Sequence, residues 1–149
     1  MSATLSNPPL DAGLVTRLRR ILGEEGLLTG DAALRVYACD GYTPDKARPS
    51  LVLLPATTQE ASRSVELLHK AGIAFVPRGA GTGVSGGCLP ADIPVMLGTS
   101  RMQRIRRADP DNRRVAVEAC VVDPDDTRPV VSHGFHDAPP PSTQPATST

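Results

Sequence analysis

The sequence predicts an α+β fold, built from a β-α-β unit followed by a β-hairpin, and three observations carry that expectation. A short apolar run closed by proline, Ser50-Leu-Val-Leu-Leu-Pro55, is followed by a helical pattern and then by a second apolar run, Ile73 to Val76. Further on, Arg106 to Cys120 folds back on itself at Asp109-Pro-Asp-Asn112, and Arg114-Val-Ala-Val-Glu-Ala alternates as a half-buried strand does. Between the two lies Arg78-Gly-Ala-Gly-Thr-Gly-Val-Ser-Gly-Gly87, with five glycines in ten residues. The length of 149 residues suits one domain.

Asp11 is placed to cap a first helix, in which Leu10, Leu14, Leu18 and Ile21 recur at helical spacing while Arg17, Arg19 and Arg20 lie off the stripe. Gly23 and Gly26 end it. A second short helix or turn is expected from Asp31 to Tyr37, and Asp40 to Pro49 reads as a connecting loop. The run from Ser50 to Pro55 is apolar without alternation, as suits a strand buried on both faces. Thr57-Thr-Gln-Glu60 is a capping box, in which a hydroxyl and a carboxylate each satisfy a free amide at a helix start. Ala61, Val65, Leu68 and Ala71 follow at helical spacing, and Gly72 stops the helix. The flanking strands are therefore expected to run parallel, with a right-handed crossover. Pro94 to Leu97 reads as a third strand and Ser100 to Ile105 as a short helix.

From Asp123 the pattern fails. Six prolines fall in the last 27 residues, and Ser142 to Thr149 holds nothing apolar larger than proline or alanine. These shifts divide the chain into an amino-terminal helical segment and loop (1–45), a central domain (46–131) and a proline-rich tail (132–149).

Sixteen Lys and Arg balance sixteen Asp and Glu, which argues against a general nucleic-acid binder or a polybasic membrane-surface protein. No apolar run approaches the roughly 18 residues of a membrane span. The opening MSATLSNPPL has neither a basic nor an apolar region of a secretory signal, so a cytoplasmic location is expected. Cys39, Cys88 and Cys120 are odd in number and widely spaced, and read as partly buried thiols rather than a disulfide framework or a metal cage. His133-x-x-His136 lacks the partners of a zinc site, and Asp123, Asp125 and Asp126 lack the glycine and distal glutamate of a calcium loop. The six arginines between Arg101 and Arg114 alternate with Asp109 and Asp111 and have no aromatic neighbour, which suits a solvated hairpin better than an RNA surface.

The glycine-rich run sits at the carboxyl end of an expected parallel strand, the edge at which α/β sheets bind ligands. Glycines permit positive φ and close backbone approach, so successive amides can converge on a phosphate. Thr82 and Ser85 add hydroxyls, and Arg78 adds a positive charge. Gly81-x-Gly83-x-x-Gly86 matches the dinucleotide fingerprint in form, but that motif needs a helix to begin within it, and Pro90 and Pro94 make one improbable. A Walker loop needs a Lys followed by Ser or Thr after its last glycine, and none is present.

Tyr37-Ala-Cys-Asp40-Gly41, Arg48-Pro49, the strand closed by Pro55 and above all Val76-Pro-Arg-Gly-Ala-Gly-Thr-Gly-Val-Ser-Gly-Gly87 together resemble the FAD-binding subunit of glycolate oxidase and its D-2-hydroxy-acid dehydrogenase relatives. The resemblance covers roughly residues 34 to 149. It implies the amino-terminal half of a PCMH-type, vanillyl-alcohol-oxidase-like FAD-binding domain. It further implies that Gly79, Ala80, Gly81, Thr82, Gly83, Ser85, Gly86 and Gly87 wrap the FAD pyrophosphate, beside the charge that Arg78 brings to the cofactor site, with Ser142 in a segment that passes the flavin. Thr82 stands where some relatives carry a histidine that binds flavin covalently, so the resemblance implies non-covalent FAD. It implies hydride transfer from the α-carbon of a 2-hydroxy acid to flavin, with electrons leaving through an acceptor such as an iron-sulfur subunit.

The tail departs from the family pattern. Pro140 occupies the aspartate position of the flavin-passing segment, Pro129 falls where relatives run a helix, and Thr149 precedes the expected second glycine-rich loop. Those departures lead us to expect a truncated copy, or a fragment that works with a complementary chain.

Overall fold

In the computed structural model, residues 9–41, 46–121 and Gly134 are described. The expectations for Asp123, Asp125, Asp126, Pro129, His133, His136, Pro140 and Ser142 lie outside them. The elements in order are α1 (Ala12–Leu22), β1 (Leu27–Leu28), α2 (Asp31–Arg35), β2 (Leu51–Leu53), α3 (Thr58–Lys70), β3 (Phe75–Arg78), β4 (Val95–Gly98), β5 (Ile105–Asp109) and β6 (Arg114–Val117). Four strands form one sheet in the order β1-β2-β4-β3, and β5 pairs with β6 in a separate hairpin.

The β-α-β unit is present, but its strands are not neighbours. β4 inserts between β2 and β3 and runs parallel to both, Val52 and Val76 each lying opposite Met96. The exchange places β4 inside the sheet, where all four of its residues are buried. β1 adds antiparallel to the outer side of β2, through Leu27 opposite Leu53 and Leu28 opposite Val52. Two residues are too few to show a periodicity, so sequence reasoning missed this strand.

Alternation along β2 explains its continuous apolar character. Leu51 and Leu53 pack with Leu14, Leu18 and Leu22 of α1, Leu68 of α3, Ile73 and Val95 in one core. Val52 and Leu54 point the other way, toward Met96 and Leu34 of α2. Helices therefore cover both faces, the condition under which a parallel sheet is stable in water. Burying each such leucine contributes about 1.5–3 kcal/mol. The segment ahead of residue 46 supplies α1, β1 and α2, and so shares its core with the residues that follow.

Local signals fix the helix ends. The Asp11 carboxylate accepts from the Leu14 amide at 3.2 Å, and Gly23, at φ 71°, closes α1. The Thr57 hydroxyl accepts from the Glu60 amide at 3.1 Å. The Glu60 carboxylate accepts from Ala56, one residue earlier than a capping box requires. At its other end α3 stops in a Schellman motif: Gly72, at φ 66°, donates to His69 and Ile73 donates to Leu68. Both Ile73 and Leu68 lie in the first core, so the stop signal also anchors the helix.

The short helix expected over Ser100–Ile105 does not form. A turn closes through the Met102 amide on the Thr99 carbonyl, and the chain then pairs with the strand returning from the hairpin. Met102 accepts from the Cys120 amide and Arg104 from the Glu118 amide, each at 2.9 Å. The Arg104 amide, which a helix would have bonded to the Ser100 carbonyl, donates instead to the Glu118 carboxylate at 3.0 Å. The hairpin itself stands as expected, with Asp109 opposite Arg114. Arg104 and Arg106 converge there on Glu118, whose side chain is buried. Among the described residues no helix is long and apolar enough to cross a membrane.

Candidate functional site

β2, β4 and β3 end together at the carboxyl edge of the sheet, and the glycine-rich loop leaves from the end of β3. The Arg78 carbonyl accepts from the Thr99 amide at 3.0 Å, which fixes the base of the loop against the end of β4. The first turn needs glycine at position 81, where φ is +75°, and a Cβ there would run into the Arg78 guanidinium. A second positive φ, +73°, occurs at Gly86. The loop ends in a turn in which the Leu89 amide donates to the Gly86 carbonyl at 3.0 Å. No helix begins between residues 79 and 94, which agrees with setting the dinucleotide fingerprint aside.

Gly79, Ala80, Gly83, Ser85 and Gly87 are exposed, while Gly81, Thr82 and Gly86 are half-buried. Among the described residues, the amides of Gly79, Ala80, Gly81, Thr82, Gly83, Ser85 and Gly87 donate to no acceptor within the protein. A run of backbone donors without internal partners, at the carboxyl edge of a parallel sheet, is suited to an oxyanion-rich ligand. This donor set fits a diphosphate, so the residues present match the group that the sequence resemblance implies.

Two expected members of the cradle are otherwise engaged. The Gly86 amide donates to the Asp40 carboxylate at 2.9 Å. One guanidinium nitrogen of Arg78 donates to the Cys39 carbonyl at 2.9 Å and to the Cys88 sulfur at 3.3 Å. The same guanidinium lies 5.7 Å from the centre of the Tyr37 ring, within cation-π range. Arg78 thus braces the loop against the segment Tyr37–Gly41. Sequence reasoning missed Asp40, which is 6% exposed. Its only sequence signal was an aspartate beside a glycine inside the resemblance. Cys39, Cys88 and Cys120 are thiols, not joined in a disulfide among the described residues.

The family described as FAD binding domain matches residues 49–148, two thirds of the chain. The chain belongs to this family. Its matched span includes β2 through β6 and the whole glycine-rich loop, and extends beyond residue 131. Among curated proteins, this FAD-binding chain is similar to the glycolate oxidase subunit GlcD of Escherichia coli K12, with 35% identity over 122 residues. That alignment takes in 82% of the chain and 24% of the relative. The glycolate oxidase subunit GlcD of Bacillus subtilis is 30% identical over 85% of the chain and 27% of the relative. The mitochondrial D-2-hydroxyglutarate dehydrogenase of Arabidopsis thaliana is 30% identical over 76% of the chain and 21% of the relative. The chain therefore spans about a quarter of the length of the relatives it matches.

Solved structures agree on the fold. An alkyldihydroxyacetonephosphate synthase superposes with a TM-score of 0.82 at 19% identity, over 94% of this chain and 28% of that one. The 4-ethylphenol oxidase of Gulosibacter chungangensis gives 0.71 at 22% identity, over 83% and 24%.

Proposed function

We propose that this chain forms the pyrophosphate-binding part of the FAD site in an FAD-linked oxidoreductase that acts on 2-hydroxy acids of the glycolate or D-lactate type. The observation that carries the proposal is the set of seven loop amides, those of Gly79, Ala80, Gly81, Thr82, Gly83, Ser85 and Gly87, without protein acceptors among the described residues, at the sheet edge. Their donors would take the non-bridging oxygens of a diphosphate, while Thr82 and Ser85 supply hydroxyls beside them. When bound, flavin supplies the hydride acceptor for oxidation at the substrate α-carbon. The chain's own part is to bind and orient, since backbone amides carry no titratable proton.

We read the attachment of FAD as non-covalent, because residues 78–87 contain no histidine, cysteine or tyrosine to form a bond. Two relatives are named as subunits, which supports electron delivery to a partner such as an iron-sulfur protein, or assembly with a complementary flavoprotein chain. Three cysteines outside any disulfide among the described residues suit a reducing compartment, and we place the protein in the cytoplasm. A second reading, an FAD-binding module without turnover of its own, is favoured by the loop's donor set, backbone amides and hydroxyls with no acid or base among residues 79–87. Titration with FAD followed by dye reduction with glycolate or D-lactate separates the two. Binding with turnover supports the oxidoreductase, binding without turnover supports the module, and no binding contradicts both.

A further inference from the structure

We propose that Asp40 is a positioning residue for the glycine-rich loop: its buried carboxylate, with Gly41 beside it, clamps the loop so that the remaining amides stand ready for an anion. The inference rests on the FAD reading for its ligand, but the clamp itself is a property of the unliganded chain.

The segment Tyr37–Gly41 meets the loop at three places. At the base, the Cys39 carbonyl accepts from Arg78 at 2.9 Å and Tyr37 lies beneath its guanidinium. In the middle, the Gly41 amide donates to the Gly83 carbonyl at 2.8 Å. At the far end, the Asp40 carboxylate accepts from the Gly86 amide at 2.9 Å, across 46 residues of sequence. The approach is close enough to require glycine at position 41, where a Cβ would lie 2.7 Å from the Thr82 carbonyl oxygen.

These contacts consume one loop carbonyl, at Gly83, and one loop amide, at Gly86. The consequence is directional. With the Gly83 carbonyl tied to Gly41, an acceptor that would repel a phosphate is held by the segment beneath the loop. The bond to Gly86 is charge-assisted and part-buried, hence stronger than a neutral one. It holds that residue in its positive-φ conformation, at +73°. A glycine loop free of such ties would lose much of its affinity to the cost of ordering its backbone on binding. Asp40 prepays that ordering during folding.

The test compares Asp40→Ala with Asp40→Asn in the full chain. Asparagine keeps an oxygen that can accept from Gly86 and removes the charge, whereas alanine removes the acceptor. Amide hydrogen exchange of the unliganded chain is expected to show Gly86 protected in the wild type, unprotected in Asp40→Ala and again protected in Asp40→Asn. FAD affinity, read by flavin fluorescence, is expected to fall about tenfold in Asp40→Ala and to recover in Asp40→Asn. Riboflavin, which lacks the diphosphate, is the control ligand, and its affinity is expected to be the same in all three proteins.

Equal protection of Gly86 in wild type and Asp40→Ala overturns the clamp. Loss of protection with unchanged FAD affinity overturns the positioning role. A wild-type chain that binds no FAD contradicts the proposed function instead, and the exchange comparison alone then decides whether the clamp exists. If Asp40→Ala does not fold, Gly41→Ala, which strains the same contact through Thr82, takes its place in both measurements.

Discussion

Replacing Gly81 by valine perturbs the loop in two ways that the structure separates. The first is backbone strain: φ is +75°, a region that costs a non-glycine residue about 1–2 kcal/mol and a β-branched one more. The second is collision, because a Cβ at this position overlaps the Arg78 guanidinium. Moving that guanidinium gives up its bond to the Cys39 carbonyl, a charge-assisted contact worth about 1.5–3 kcal/mol. A variant chain that escapes the two costs by leaving this loop conformation must meet them again on binding, so they fall on the conformation that holds the ligand. A loss of roughly 2–4 kcal/mol corresponds to a weakening of FAD binding by about 30-fold to 1000-fold. Gly86→Ala isolates the first term, since Gly86 shares the positive φ but a Cβ there meets only Leu89, at 3.8 Å. Gly30→Ala is the neutral control, at ordinary φ with open space around its Cβ. Fluorescence titration of the four proteins, with melting temperatures alongside, is the assay. The order of affinities expected is wild type and Gly30→Ala, then Gly86→Ala, then Gly81→Val. Wild-type affinity in Gly81→Val would refute the placement of the diphosphate on this loop.

Other consequences are as direct. Ser64 is fully buried in α3, and its hydroxyl has no hydrogen-bond partner among the described residues; Ser64→Ala is expected to stabilise the chain by about 1 kcal/mol in urea denaturation. Leu18 is completely buried between α1, α3 and the sheet, so Leu18→Ala is expected to cost about 2–5 kcal/mol in the same measurement. Hydrogen bonds from the Arg104 side chain and amide hold the Glu118 carboxyl below its ordinary value of 4.5. A folded-state value below the unfolded one stabilises at pH above the ordinary value, and the contribution is lost as pH falls through the lowered one. Urea midpoints followed below pH 5 are therefore expected to fall in the wild type and to fall less steeply in Glu118→Gln.

The parts legible in the sequence are those written in neighbouring residues. Asp11, Thr57 and Gly72 each act on a backbone group within a few positions, and the ends of α1 and α3 follow from them. The continuous apolar run of β2 announced burial on both faces, and the glycine density of residues 79–87 announced a loop that other atoms approach. What was not legible depends on pairings distant in sequence. Nothing in Pro94 to Leu97 says that this strand inserts between β2 and β3, and Ser100–Ile105 has no local feature that forbids a helix. Its backbone is instead claimed by residues 118–120, which only the closed hairpin brings near. Likewise, Arg78 reads from sequence as a charge beside a phosphate loop. The structure turns it toward Cys39 and Tyr37, because the Tyr37–Gly41 segment passes beneath the loop.

The central claim is that seven amides of the glycine-rich loop form a cradle for the diphosphate of FAD. Calorimetric titration of the chain with FAD, repeated in the presence of ADP, tests it most directly. One FAD bound per chain, displaced far more effectively by ADP than by riboflavin, with a rise in melting temperature as FAD increases, is the predicted result. Absence of heat and of any thermal shift, or binding that riboflavin competes as well as ADP does, would contradict it.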